Sequence, residues 1–144
     1  MGRKIVLLAC SKSKQQTNVP IEAYLLYTGQ LFKKSYNYAC QMLTPAPDKI
    51  FILSAKHHVL EPNDKIAYYN LFLGNLTKSQ RIVWANNVLN QLKAKGCDLQ
   101  NDEFIILAGK DYYQYLCPQL PNCRVPMAGM RIGQMLQYLT TIIP

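Results

Sequence analysis

Three apolar runs in this chain end in small residues and then a lysine: Ile5-Val6-Leu7-Leu8-Ala9-Cys10-Ser11-Lys12, Ile50-Phe51-Ile52-Leu53-Ser54-Ala55-Lys56 and Phe104-Ile105-Ile106-Leu107-Ala108-Gly109-Lys110. Short continuous runs of Val, Ile and Phe, with helix-like segments between them, read as parallel strands buried on both faces. They predict an α/β fold over residues 1–144, a compact single domain with a small, mainly parallel sheet of three to four strands flanked by helices. Ligands of such open sheets bind beyond the carboxyl ends of the strands, so Lys12, Lys56 and Lys110 are expected to converge on one anion-binding crevice. The small residues, Ser54 and Gly109 among them, would let a ligand approach the backbone. The competing reading is that lysine simply returns the chain to solvent after each strand.

Charge sharpens the choice of ligand. Sixteen Lys and Arg against eight Asp and Glu leave a formal net charge of +8 in 144 residues, which favours a polyanionic partner such as nucleic acid, or a phosphorylated small molecule. A chain of this length buries roughly 70% of the surface its unfolded form exposes, enough to fold without metals or disulfides. The cysteines, Cys10, Cys40, Cys97, Cys117 and Cys123, are odd in number and lack a Cys-x-x-Cys spacing, the usage of a reducing compartment rather than of a disulfide framework. The two histidines are adjacent, at His57 and His58, so neither a structural zinc site nor any other metal or cofactor is expected. The opening Met-Gly-Arg-Lys leads at once into an apolar run too short for a signal peptide or a membrane span, so the expectation is a cytoplasmic protein with no membrane partner.

Along the chain, Ser11 to Pro20 is a polar loop directly after a strand, where ligand contacts tend to fall. Leu31, Phe32, Tyr36, Ala39 and Leu43 recur at helical spacing, predicting an amphipathic helix started near Thr28 and stopped by Thr44-Pro45-Ala46-Pro47. His57 to Leu76 has no clean period and holds the aromatic cluster Tyr68, Tyr69 and Phe72, the pattern of a lid or specificity loop. Thr77-Lys78-Ser79-Gln80 is a capping box, and Ile82, Val83, Ala85, Val88, Leu89 and Leu92 are expected as the core face of a helix ending at Gly96. A short helix over 111–116 would place Tyr112, Tyr113 and Tyr115 beside the crevice. An edge strand is expected over 123–126, and a closing helix over 129–142 with Arg131 near its start.

Several of these residues suit chemistry. Cys10-Ser11-Lys12-Ser13-Lys14 offers hydroxyls and ammonium groups to oxyanions, but it lacks the Gly-rich spacing of a P-loop, so nucleoside triphosphate hydrolysis has no support. Cys10 is either a nucleophile with a lowered pKa or a small buried cysteine. Lys56-His57-His58 followed by Glu61 brings an acid, a base and a cation within a few residues. Either His57 and Glu61 work together, or one histidine packs on the sheet while the other is solvated. Lys56 or Lys12 would serve as an amine nucleophile if burial or neighbouring charge lowered its pKa. Tyrosine beside lysine is what a site needs to stack a base and hold its phosphate, and Tyr69 and Tyr112 are the candidates; the alternative is that they edge the core.

The order Cys10-Ser11-Lys12-Ser13-Lys14, Tyr27-Thr28-Gly29, Leu53-Ser54-Ala55-Lys56-His57 with Leu60-Glu61-Pro62 and Tyr69, then Leu107-Ala108-Gly109-Lys110-Asp111-Tyr112-Tyr113 resembles the YaaA-like superfamily over nearly the whole chain. More closely it looks like that group's short, single-domain branch of bacterial and phage proteins of unassigned function. The resemblance implies an α/β fold, an intracellular role and a link to DNA, since YaaA itself is associated with peroxide stress and DNA binding. This chain is shorter than YaaA, with no segment matching its helix-hairpin-helix element, and His58 stands where the short branch usually has glycine. The leading expectation is a nucleic-acid-directed protein, with DNA as partner, that binds or processes a base or nucleotide, as an N-glycosylase on damaged or modified DNA. There a flipped base would stack on Tyr69 or Tyr112, Lys12, Lys14 and Lys110 would hold phosphates, and Glu61, ordered by His57, would position water. The other readings are a noncatalytic DNA-binding protein of stress or phage defence, and an enzyme on a free nucleotide or nucleoside.

Overall fold

The computed structural model describes residues 2–42 and 46–142. In chain order the elements are β1 (Lys4–Ala9), β2 (Ile21–Glu22), α1 (Ala23–Leu26), α2 (Gln30–Asn37), β3 (Lys49–Ser54), β4 (His58–Leu60), β5 (Lys65–Ile66), α3 (Lys78–Ala94), β6 (Glu103–Leu107), α4 (Lys110–Tyr113), β7 (Cys123–Arg124) and α5 (Ile132–Ile142). The three apolar runs are β1, β3 and β6, and they pair in parallel, with Leu7 of β1 opposite Phe51 on one side and Ile106 on the other. The five-stranded sheet has the order β4-β3-β1-β6-β7. Its fourth parallel strand is β7, while β4 folds back antiparallel on β3, and β2 and β5 form a separate two-stranded ribbon.

Because successive side chains alternate across a strand, β1 feeds two cores. Ile5, Leu7, Phe51 and Phe104 face Trp84, Val88 and Leu92 of α3. Val6, Leu8, Ile52 and Ile105 face Phe32 of α2 and Met135 and Leu139 of α5. With helices on both faces, β1 has no solvent side, which is why its sequence does not alternate. The chain leaves β1 for β3 on one side and later reaches β6 on the other, so the strand order reverses at β1. That reversal opens a crevice beyond the carboxyl ends of β1 and β6.

The structure departs from the sequence-based expectations in several places. The sheet has five strands rather than three to four: β7 falls within the edge strand expected over 123–126, and the unexpected one is β4, three residues folding back on β3 and too short for a period to register. The helix expected from Thr28 starts at Gln30 and passes into a π-helical stretch, Tyr38–Met42; Leu43, Thr44 and Pro45 lie outside the described residues. The capping box of α3 forms, Gln80 N–H donating to Thr77 Oγ1 at 3.2 Å and Thr77 N–H to Gln80 Oε1 at 2.8 Å. Its buried face, however, is Trp84, Ala85, Val88, Leu89 and Leu92, with Ile82 and Val83 exposed. At 100° per residue, Val83 lies almost opposite Leu92, at the centre of the stripe that Trp84, Ala85, Val88, Leu89 and Leu92 define. Past α3, Gly96 turns the chain at φ +91°, a conformation that costs other residues a Cβ clash.

The cysteine reading is also corrected. Cys117 and Cys123 form a disulfide across the 3-10 turn Cys117–Gln119, while Cys10, Cys40 and Cys97 are free. The pair has no recognisable spacing motif, and only the return of the chain into β7 brings the two residues together. Three thiols rather than five are expected to react in the denatured, unreduced protein. Closing so small a loop stabilises by about 2 kcal/mol, so the Cys117→Ser, Cys123→Ser variant should melt a few degrees lower. Five reactive thiols would refute the pairing.

Candidate functional site

The crevice at the strand reversal has a volume of about 570 Å³. Its base is the end of β1, Ala9 and Cys10, and one wall is the Ser11–Ser13 loop. The opposite wall is Gly109 to Tyr112, from the end of β6 into α4. The interior is apolar, with Phe32, Phe72, Met135 and Leu136 among its contributors, whereas Lys12, Lys110 and Arg131 stand at it as exposed cations. The amino end of α2, at Gly29, Gln30 and Leu31, and that of α5, at Arg131 and Ile132, also reach the crevice. No side chain caps α2. Helix amino ends carry unpaired N–H groups and partial positive charge, so they add to the pull of the three cations on an anion.

The loop that carries Lys12 is fastened. Gly29 N–H donates to Ser11 Oγ at 3.1 Å, Thr28 N–H to the Ser13 carbonyl at 3.0 Å and Gln15 N–H to the Leu26 carbonyl at 2.8 Å, while Ser11 Oγ donates to the Ser13 carbonyl. A Cβ on Gly29 would lie 2.8 Å from Ser11 Cβ, so only glycine lets the loop approach this closely.

Next to the crevice lies a buried polar network. Ser54 Oγ accepts the N–H groups of Lys56 (3.2 Å) and His57 (3.1 Å), which fills both its lone pairs and directs its hydrogen to Tyr69 Oη at 2.8 Å. Tyr69 Oη is also 2.6 Å from Tyr27 Oη. Cys10 Sγ is 3.4 Å from Tyr112 Oη and so joins this network to the crevice wall. Burial pushes the Cys10 thiol up, and burial followed by the neighbouring Cys10 pushes the Tyr27, Tyr69 and Tyr112 phenols up. Each of these shifts favours the protonated, neutral form, and Cys10, half-buried at the base of the crevice, is held as a thiol rather than activated as a nucleophile.

A family model of unknown function, DUF6884, matches residues 5–141, which takes in every element from β1 to α5. The chain belongs to the DUF6884 family. No curated protein matches it. In this DUF6884 chain the crevice and the polar network therefore both fall inside the family region.

The expected site residues divide between these two places. Cys10, Ser11, Lys12, Ser13, Gly29, Gly109, Lys110, Tyr112 and Arg131 line the crevice. Tyr27, Ser54 and Tyr69 are buried in the network, and Lys14 and Lys56 stand over the Tyr69 ring at 4.5 and 5.7 Å from its centroid. Thr28 fastens the loop through its backbone. Two of the three strand-end lysines thus share the crevice, and Lys56 lies beside it. His57 packs edge-on against Tyr69 at 5.4 Å. Its pKa is lowered by burial and by Lys56 and His58, against an upward pull from Asp64. Glu61 pairs with Lys95 at 3.6 Å and does not line the crevice.

Of the tyrosines expected beside the crevice, only Tyr112 lines it; Tyr113 and Tyr115 pack against the core. The sequence reading missed Asp111, the carboxylate at the crevice wall, whose Oδ1 is 3.4 Å from Arg81 Nη1. It also missed Phe72, whose ring lies 5.7 Å from Lys12 Nζ. Phe72 belongs to the aperiodic aromatic stretch and Asp111 follows a strand-end lysine, so both carried a positional signal. Among the described residues no group of three or more His, Cys, Asp or Glu could hold a metal ion, and no helix is long and apolar enough to cross a membrane.

Proposed function

We propose that this chain is a nucleic-acid-directed protein that takes a base or nucleotide into the crevice, its phosphate held by Lys12, Lys110 and Arg131. The observation that carries this reading is the combination of an apolar interior with three cations at one strand reversal. A base is planar and largely apolar on its faces, and its phosphate needs positive charge a short distance away. Among the described residues the four ion pairs use Arg3, Arg81, Lys95 and Arg124, and none of them commits one of these three cations to a carboxylate.

The YaaA-like resemblance, with the link to DNA that it implies, points the same way, and two of its positions have a backbone role here. Gly29 of Tyr27-Thr28-Gly29 is where loop and helix touch, and His58, where the short branch usually has glycine, holds φ +65°. Within this proposal, cleavage of a base from its sugar would fall to Asp111 rather than to Glu61. Its carboxylate would take a proton from water adding to C1′ as the C1′–N bond breaks, the base leaving with the bonding electron pair and then accepting that proton from the Asp111 carboxyl. The pairing of that carboxylate with Arg81 favours, as a second reading, binding without cleavage.

Calorimetric titration with the common nucleoside monophosphates and with short single strands, repeated over a range of salt, tests the proposal. Binding that weakens as salt rises is expected. Absence of binding to both ligand classes at low salt would overturn it.

A further inference from the structure

Lys14 and Lys56 form a second cationic cluster outside the crevice. Their ammonium groups stand over one ring, that of Tyr69, and among the described residues neither takes part in an ion pair. Two like charges over one ring repel, and cation–π attraction offsets only part of that cost. The ring itself is fixed, 5% exposed and bonded to Tyr27 and Ser54. Lys14 Nζ also donates to the Lys12 carbonyl at 3.2 Å, and His57 closes the cluster against the same ring. Burial lowers the Lys14 pKa, a shift that a bound anion reverses. This is a rigid platform with uncompensated charge, the arrangement that a phosphate completes.

Its position says which phosphate. Lys12 lies over Phe72 at the crevice, Lys14 lies over Tyr69, and only Ser13 separates them, so their Cα atoms are at most about 7 Å apart. A free monophosphate has one phosphate and needs one cluster; a nucleotide within a strand has a phosphate on each side. We propose that Lys14 and Lys56 on the Tyr69 face form a second phosphate subsite, and that the ligand is a nucleotide within a single strand, its base in the crevice and its two phosphates on either side of the Lys12–Lys14 loop. This rests on the crevice reading above and specifies its substrate class. A single strand is favoured because a paired base enters the crevice only after it is flipped out, at a cost of about a few kcal/mol.

The test uses the whole chain and a labelled random-sequence single strand of about 12 nucleotides. The four deoxynucleoside monophosphates are titrated separately, and the Lys14→Ala, Lys56→Ala variant is compared with the parent. The variant should bind the strand about tenfold more weakly at about 0.15 M salt, with the slope of log affinity on log salt shallower by about 0.7, the share of one phosphate. Its affinity for monophosphates should stay within about twofold. The Lys14→Gln, Lys56→Gln variant, which keeps two long polar side chains, should behave alike. Equal weakening toward both ligands, an unchanged salt slope, or a parent protein that binds monophosphates as tightly as the strand would overturn the second subsite and leave the crevice reading standing. A duplex that binds as tightly as the strand would overturn the single-strand assignment. A parent protein that binds neither ligand would overturn both readings.

Discussion

Trp84→Ala should remove about 3–5 kcal/mol of stability and lower the melting temperature on the order of 10 °C. Trp84 is 3% exposed, at the centre of the core between α3 and the sheet. Its ring meets Tyr112 edge-on at 6.0 Å, and its Nε1–H donates to the Ser54 carbonyl at 2.9 Å. Truncation leaves a large cavity and also an unpaired buried carbonyl at the end of β3, beside the network under Tyr69. Trp84→Phe keeps most of the packing and loses the hydrogen bond, so its cost should be about 1–2 kcal/mol. Circular dichroism is the readout, because the chain's single tryptophan is the residue replaced. A Trp84→Ala loss below about 1 kcal/mol would mean that α3 does not pack on the sheet through this residue.

How much of this was legible in the sequence depended on whether the signal was local. The strands β1, β3 and β6 were readable because burial on both faces removes alternation, and the start of α3 because a capping box is written in four consecutive residues. The face of α3 was legible in part: Ala85, Val88, Leu89 and Leu92 are buried as expected, but Trp84 takes the place of Ile82 and Val83. Ile82 and Val83 look as suitable as Trp84 and Val88 until the sheet selects a stripe. Lys12 and Lys110 were placed by a general rule about strand ends, and the structure puts both at the crevice. Lys56 follows the same rule in sequence, yet β3 continues into a tight return to β4, and the lysine comes to lie over Tyr69 instead. Glu61 looked like the partner of His57 because the two are close in sequence. Its partner is Lys95, supplied by the end of α3, a tertiary choice that no local pattern carries.

Replacing Lys12, Lys110 and Arg131 together by glutamine is expected to weaken ligand binding about 100-fold while leaving the melting temperature nearly unchanged. The binding loss follows from about 1 kcal/mol for each charge contact, a modest value chosen because all three side chains are exposed before a ligand covers them. Stability should hold because, among the described residues, none of the three takes part in an ion pair. Lys12 loses only an exposed ring contact at 5.7 Å, worth about 0.5–1 kcal/mol at most. Removing three like charges that the fold brings to one crevice also relieves repulsion, which offsets part of that loss. Calorimetric binding and thermal melting of the same preparation separate the two effects. If binding is unchanged, the phosphate does not sit at this crevice. If the variant melts well below the parent, the cations hold the fold together, and their convergence would not mark a ligand site.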